Sequence, residues 1–119
     1  IIIGPGGEVN VIDFDYSCHE LPVYDLAALI QKVLKRYSYD VDMALEIIED
    51  YCSIAPLGRE DLVLMLSLFE FPQRFWRIAE RYYKDKTTWD EKTFLAKYND
   101  TVIMKEFILD FVEDFRKYI

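Results

Sequence analysis

Apolar residues recur along this chain with two different periods, and the change between them comes early. Ile1-Ile2-Ile3 and Val9-Asn10-Val11-Ile12 flank Gly4-Pro5-Gly6-Gly7. Two short apolar runs around a glycine-rich stretch predict a β-hairpin. The second run is apolar on both faces near its end, which predicts a buried strand. A two-stranded hairpin is marginal alone. Ile1 to Ile3 are therefore expected to pack against, or continue, something that this chain lacks.

Beyond Tyr16 the period becomes helical. Leu26, Leu29, Ile30, Val33, Leu34 and Tyr37 keep one face of a helix that opens near Pro22, where proline is tolerated. A second helix is expected from Asp40, a good N-cap, with Val41, Ala44, Leu45, Ile48, Tyr51 and Cys52 on its stripe and Pro56 ending it. A third begins near Gly58. Its run from Leu62 to Phe69 leaves almost no polar face and predicts the buried central helix. A fourth starts at Pro72, with Phe75, Ile78, Ala79 and Tyr82 together. Thr88 and Glu91 resemble a capping box for a short fifth helix. A last helix from about Thr101 carries Met104, Phe107, Ile108, Phe111, Val112, Phe115 and Ile119. The expected fold class is mainly α with an N-terminal β-hairpin. Residues 1–15 form the hairpin unit and residues 22–119 the helical one, within a single domain or part of one.

Composition sharpens this outline. Of the 119 residues, 52% are hydrophobic and 16% aromatic, enough for a real core and against disorder. The net charge of -8 argues against nucleic acid and anionic lipid as partners, since both need clustered Lys and Arg. No apolar run approaches the about 20 residues of a membrane span. Two cysteines, Cys18 and Cys52, make no disulfide framework, so a reducing, intracellular setting is the expectation. Cys18 and His19 adjoin in sequence, yet catalytic Cys and His pairs meet in space. Loop packing is the role expected of them.

Val11-Ile12-Asp13-Phe14-Asp15 ends a strand on two carboxylates. Such oxygens suit a hard cation such as Mg²⁺. In isolation the pair reads first as an ordinary strand end and turn cap. The residues that follow add context. Asp13-Phe14-Asp15, a loop, then Leu21-Pro22-Val23-Tyr24-Asp25-Leu26-Ala27 resembles the aminoglycoside phosphotransferase and choline kinase superfamily. Phe71-Pro72-Gln73-Arg74-Phe75-Trp76-Arg77-Ile78-Ala79, with Tyr82-Tyr83 and Trp89 beyond, is similar to the F-P-x-K-F-W-K-I-A stretch of the CotS-type spore-coat branch. Arg74 and Arg77 stand where that branch often has Lys. The two matches span residues 1 to about 90, and the final helix fits only generally.

The resemblance implies the C-terminal lobe of a protein-kinase-like fold. It implies that Asp13 binds the Mg²⁺ that bridges ATP phosphates, that Asp15 lies near a second metal, and that Asp25 anchors the catalytic loop. In that family a strand like Ile1-Ile2-Ile3 follows the loop H-x-D-x-x-x-x-N, which supplies the base and another metal ligand. The implied protein is thus longer, with an ATP-cradling N-terminal lobe. This chain would be its C-terminal part, made as a fragment or left by proteolysis, and inactive alone. The longer protein would transfer phosphate from Mg-ATP to a small-molecule hydroxyl. Alternatively it would be a non-catalytic assembly protein of the spore coat, with other coat proteins as partners. His19 and Glu20 would lie on the substrate side.

Arg74, Arg77, Arg81 and Lys84 recur at helical spacing, with Trp76 and Tyr83 alongside. One reading is a contact for an anionic ligand or acidic partner. The plainer one is a solvated face with i, i+4 partners such as Glu70 to Arg74.

Overall fold

In the computed structural model the described residues are 1–13, 15, 19, 21–84 and 89–119. Two short strands open the chain, β1 (Ile2–Ile3) and β2 (Val9–Asn10). They pair antiparallel, Ile2 opposite Asn10 and Ile3 opposite Val9. The turn is closed by Gly4 N–H donating to the Glu8 carbonyl at 2.8 Å and Gly7 N–H to the Gly4 carbonyl at 3.0 Å. Gly7 sits at φ 84°, a backbone region that glycine occupies without strain. The hairpin forms as expected, but its second strand is not buried. Val9, Val11 and Ile12 are all exposed. Among the described residues no helix packs on either strand. An apolar run marks a strand that could be buried; burial also needs a surface to meet it.

Among the described residues five helices follow: α1 (Pro22–Leu34), α2 (Val41–Cys52), α3 (Arg59–Glu70), α4 (Gln73–Tyr83) and α5 (Glu91–Tyr118). Their starts follow from local chemistry. Pro22 opens α1, where its missing N–H is no loss. The Asp40 carboxylate accepts the Asp42 N–H at 2.9 Å and caps α2. Asp61 reaches back to accept the Gly58 N–H at 2.8 Å, fixing the start of α3. Asp90 caps α5 by accepting the Thr93 N–H at 2.9 Å. The cap expected at Thr88 lies outside the described residues.

Two boundaries differ from the sequence pattern. α1 stops at Leu34 and leaves Tyr37 outside, because Ser38 and Tyr39 both take positive φ, 53° and 60°, and turn the chain into α2. The two last helices expected are a single α5 of 28 residues. No Pro or Gly interrupts residues 91–119, so nothing stops the helix before Thr101. It is roughly 42 Å long at 1.5 Å per residue, close to the 46 Å longest dimension of the molecule.

The core gathers Leu26, Ile30 and Leu34 from α1, Ala44 and Ile48 from α2, Met65 and Phe69 from α3, and Phe111, Val112 and Phe115 from the C-terminal half of α5. Full burial of such side chains contributes about 1.5–3 kcal/mol each. Phe69 meets Phe111 and Phe115 edge-on, at centroid distances of 5.2 and 5.1 Å. The Gln31 amide donates to the Leu68 carbonyl at 2.9 Å and ties α1 to α3. α3 is central, lying between α1 and α5, but it is not buried all round: Val63 is exposed and Leu62 and Leu64 are half-buried. Among the described residues α4 packs against α5 alone and has no buried residue. Among the described residues no helix is long and apolar enough to cross a membrane.

Candidate functional site

Three places carry chemistry-bearing residues that the sequence singles out. The first is the exit of the hairpin. Asp13 and Asp15 follow β2 and are both exposed. Asp13 stands at φ 69°. Asp is among the few side chains that visit this region, because its short carboxylate can bond locally. Two exposed carboxylates offer the oxygen donors that Mg²⁺ prefers. Among the described residues no group of three or more His, Cys, Asp and Glu side chains comes together.

Asp25 occupies the first turn of α1 and is exposed. A carboxylate there complements the positive end of the helix dipole. His19 is exposed. Cys18 and Glu20 lie outside the described residues.

The third place is the seam between α4 and the N-terminal half of α5. Phe75, Ile78, Ala79 and Tyr82 of α4 meet Phe94, Leu95 and Tyr98 of α5, as the α4 stripe predicts. Tyr82 lies edge-on to Phe94 at 5.2 Å, and Phe75 is 6.3 Å from Tyr98. Beside this seam Arg74, Arg77 and Arg81 converge with Lys97 and Trp89 around a cleft of about 420 Å³. The Arg81 guanidinium lies 4.6 Å from the Trp89 ring centroid and the Lys97 ammonium 4.7 Å. Trp89 is braced in turn by Phe94 at 5.2 Å. Such cation–π contacts are worth about 0.5–1 kcal/mol each at exposed sites. Glu80 also lines the cleft, but Lys84 neutralises its carboxylate at 2.9 Å.

The i, i+4 pair of Glu70 with Arg74 does not form. Phe71 and Pro72 break the helix between them, so the two residues do not share a face. Glu70 pairs instead with Arg116 of α5. Arg74 pairs with Asp100 at 3.5 Å and directs its other nitrogen to the Met104 sulfur at 3.4 Å. Tyr39 also points its hydroxyl at that sulfur, 4.0 Å away. Burial raises the Tyr39 phenol above its usual range, and the Arg74 guanidinium partly offsets this. Trp76 and Tyr83, expected beside the arginines, are exposed and outside the cleft. The aromatic in that place is Trp89, and the fourth cation is Lys97. Sequence reasoning missed both in this role, since only the return of the chain from α4 into α5 brings them to the arginines.

No protein-family model, curated protein or solved structure matches the chain.

Proposed function

We propose that this chain is the helical lobe of a kinase-like phosphotransferase of the CotS type, acting with Mg-ATP on a small-molecule hydroxyl. The observation that carries the reading is the exit of the hairpin. Asp13 and Asp15 stand there open to solvent, and α1 follows with Asp25 in its first turn. This is the order that the resemblance implies for a metal-binding strand end and its supporting helix. In this reading Asp13 would hold a magnesium ion, Asp15 would add negative charge beside it, and Asp25 would steady the backbone. Magnesium, when bound, neutralises charge building on the phosphoryl oxygens. The base belongs to an H-x-D-x-x-x-x-N loop that these 119 residues do not contain.

A second reading is a spore-coat assembly protein that keeps the fold without the chemistry. The exposed Phe71, Trp76, Val102, Ile103 and Phe107 favour it, because apolar surface of this kind marks contact with other proteins.

Calorimetric titration of Mg-ATP into the full-length protein and its Asp13→Ala variant tests the first reading. Binding that requires both magnesium and Asp13 is the expected result. A folded protein that binds no Mg-ATP would contradict it and leave the assembly reading.

A further inference from the structure

We infer that the cleft between α4 and α5 is a binding site for a small, multiply charged phosphate, such as pyrophosphate or a phosphate ester. It shares no residue with the hairpin exit and stands independently of the reading proposed above.

Charge is the first ground. The chain carries a net charge of -8, yet Arg74, Arg77, Arg81 and Lys97 share one cleft. Like charges repel, and gathering them costs stability unless counter-charge is present. Arg74 is tied to Asp100, and the Glu80 carboxylate is tied to Lys84. Among the described residues no ion pair holds Arg77, Arg81 or Lys97. Those three cations leave a local positive field that an anion would neutralise.

Preorganisation is the second ground. Trp89 holds the Arg81 guanidinium and the Lys97 ammonium at nearly equal distance, 4.6 and 4.7 Å from its centroid. Two mobile side chains from different helices are thereby gathered before any ligand arrives, which lowers the entropy that binding would cost. The Trp89 ring is engaged by these cations and by Phe94. The ligand therefore offers anionic oxygens, for which guanidinium forks are suited, instead of a base for stacking.

Size and long-range charge decide the class. A volume of about 420 Å³ suits a small molecule. A nucleic acid would bring many phosphates against a chain whose net charge is -8. A small phosphate responds mainly to charges within about one Debye length, ~10 Å at 0.1 M salt.

The test uses the full chain with Trp76→Phe, which leaves Trp89 as the only tryptophan. Inorganic pyrophosphate is titrated in magnesium-free buffer, followed by Trp89 fluorescence and by calorimetry. Circular dichroism checks that each variant keeps its helices. Saturable binding is expected, weakening as salt rises. Arg77→Gln and Lys97→Gln should each raise Kd roughly tenfold or more, while Arg36→Gln, in the turn after α1, should leave it unchanged. The proposal is overturned by an absence of saturable binding, by a Kd indifferent to both cleft variants, or by an oligoglutamate peptide binding more tightly than pyrophosphate. The magnesium-free buffer separates this outcome from any behaviour of Asp13.

Discussion

One helix belongs to two different regions of this molecule. The C-terminal half of α5 places Phe111, Val112 and Phe115 in a core closed by α1, α2 and α3. Its N-terminal half packs along α4, and the two form an arm in which no residue of α4 is buried. The core is held by buried apolar area, which is non-directional and strong. The arm is held by half-exposed aromatic pairs, two cations on Trp89 and the exposed pairs Arg74–Asp100 and Lys84–Glu80. Exposed ion pairs are worth about 0–1 kcal/mol each. The difference teaches that stability and recognition are separated along α5. One end specifies the fold, and the other presents charge.

The comparison breaks most readily at its strongest member. Phe115 is fully buried and touches Phe69 and Phe111. Phe115→Ala should cost about 3–5 kcal/mol, measured by urea denaturation. Phe94→Ala removes the ring that braces Tyr82 and Trp89 in the arm. It should cost about 1 kcal/mol, because that ring is only half-buried and its surroundings can relax into solvent. Equal costs would erase the distinction.

A smaller effect is expected in acid. Hydrogen bonds from Thr93 hold the Asp90 carboxyl below its usual range. A group whose pKa is depressed by folding stabilises above its unfolded value and loses that contribution as pH falls through the folded one. The first turn of α5 should therefore fray on the acid side of the carboxylate range. Asp90→Asn, which still accepts the cap hydrogen bond, should flatten this pH dependence in circular dichroism. An unchanged acid profile would remove the cap from the account.

Much of the fold is legible in the sequence because it is written in short-range signals. Asp40 and Gly58 mark helix starts, and the stripes of α2 and α4 find the faces predicted for them. The unread parts depend on distant segments. Val9, Val11 and Ile12 have the composition of a buried strand, but composition does not say whether a covering surface is present. The expected start of a last helix at about Thr101 is overridden, because Asn99 and Asp100 are poor helix formers without being helix breakers. At the candidate sites, Asp13, Asp15 and the arginine spacing are visible in the sequence. Lys97 and Trp89 are not, because their place in the cleft is set by the turn between α4 and α5. Glu70 was misassigned because spacing alone does not register the helix break at Pro72.

Native-state hydrogen exchange tests the division of the molecule most directly. Amides of α1, α3 and the C-terminal half of α5 should exchange only through global unfolding. Those of α4 and the N-terminal half of α5 should exchange faster, through a smaller opening, and pyrophosphate should slow these alone. Uniform protection along the whole of α5, unaltered by pyrophosphate, would contradict both the separate arm and its role as an anion site.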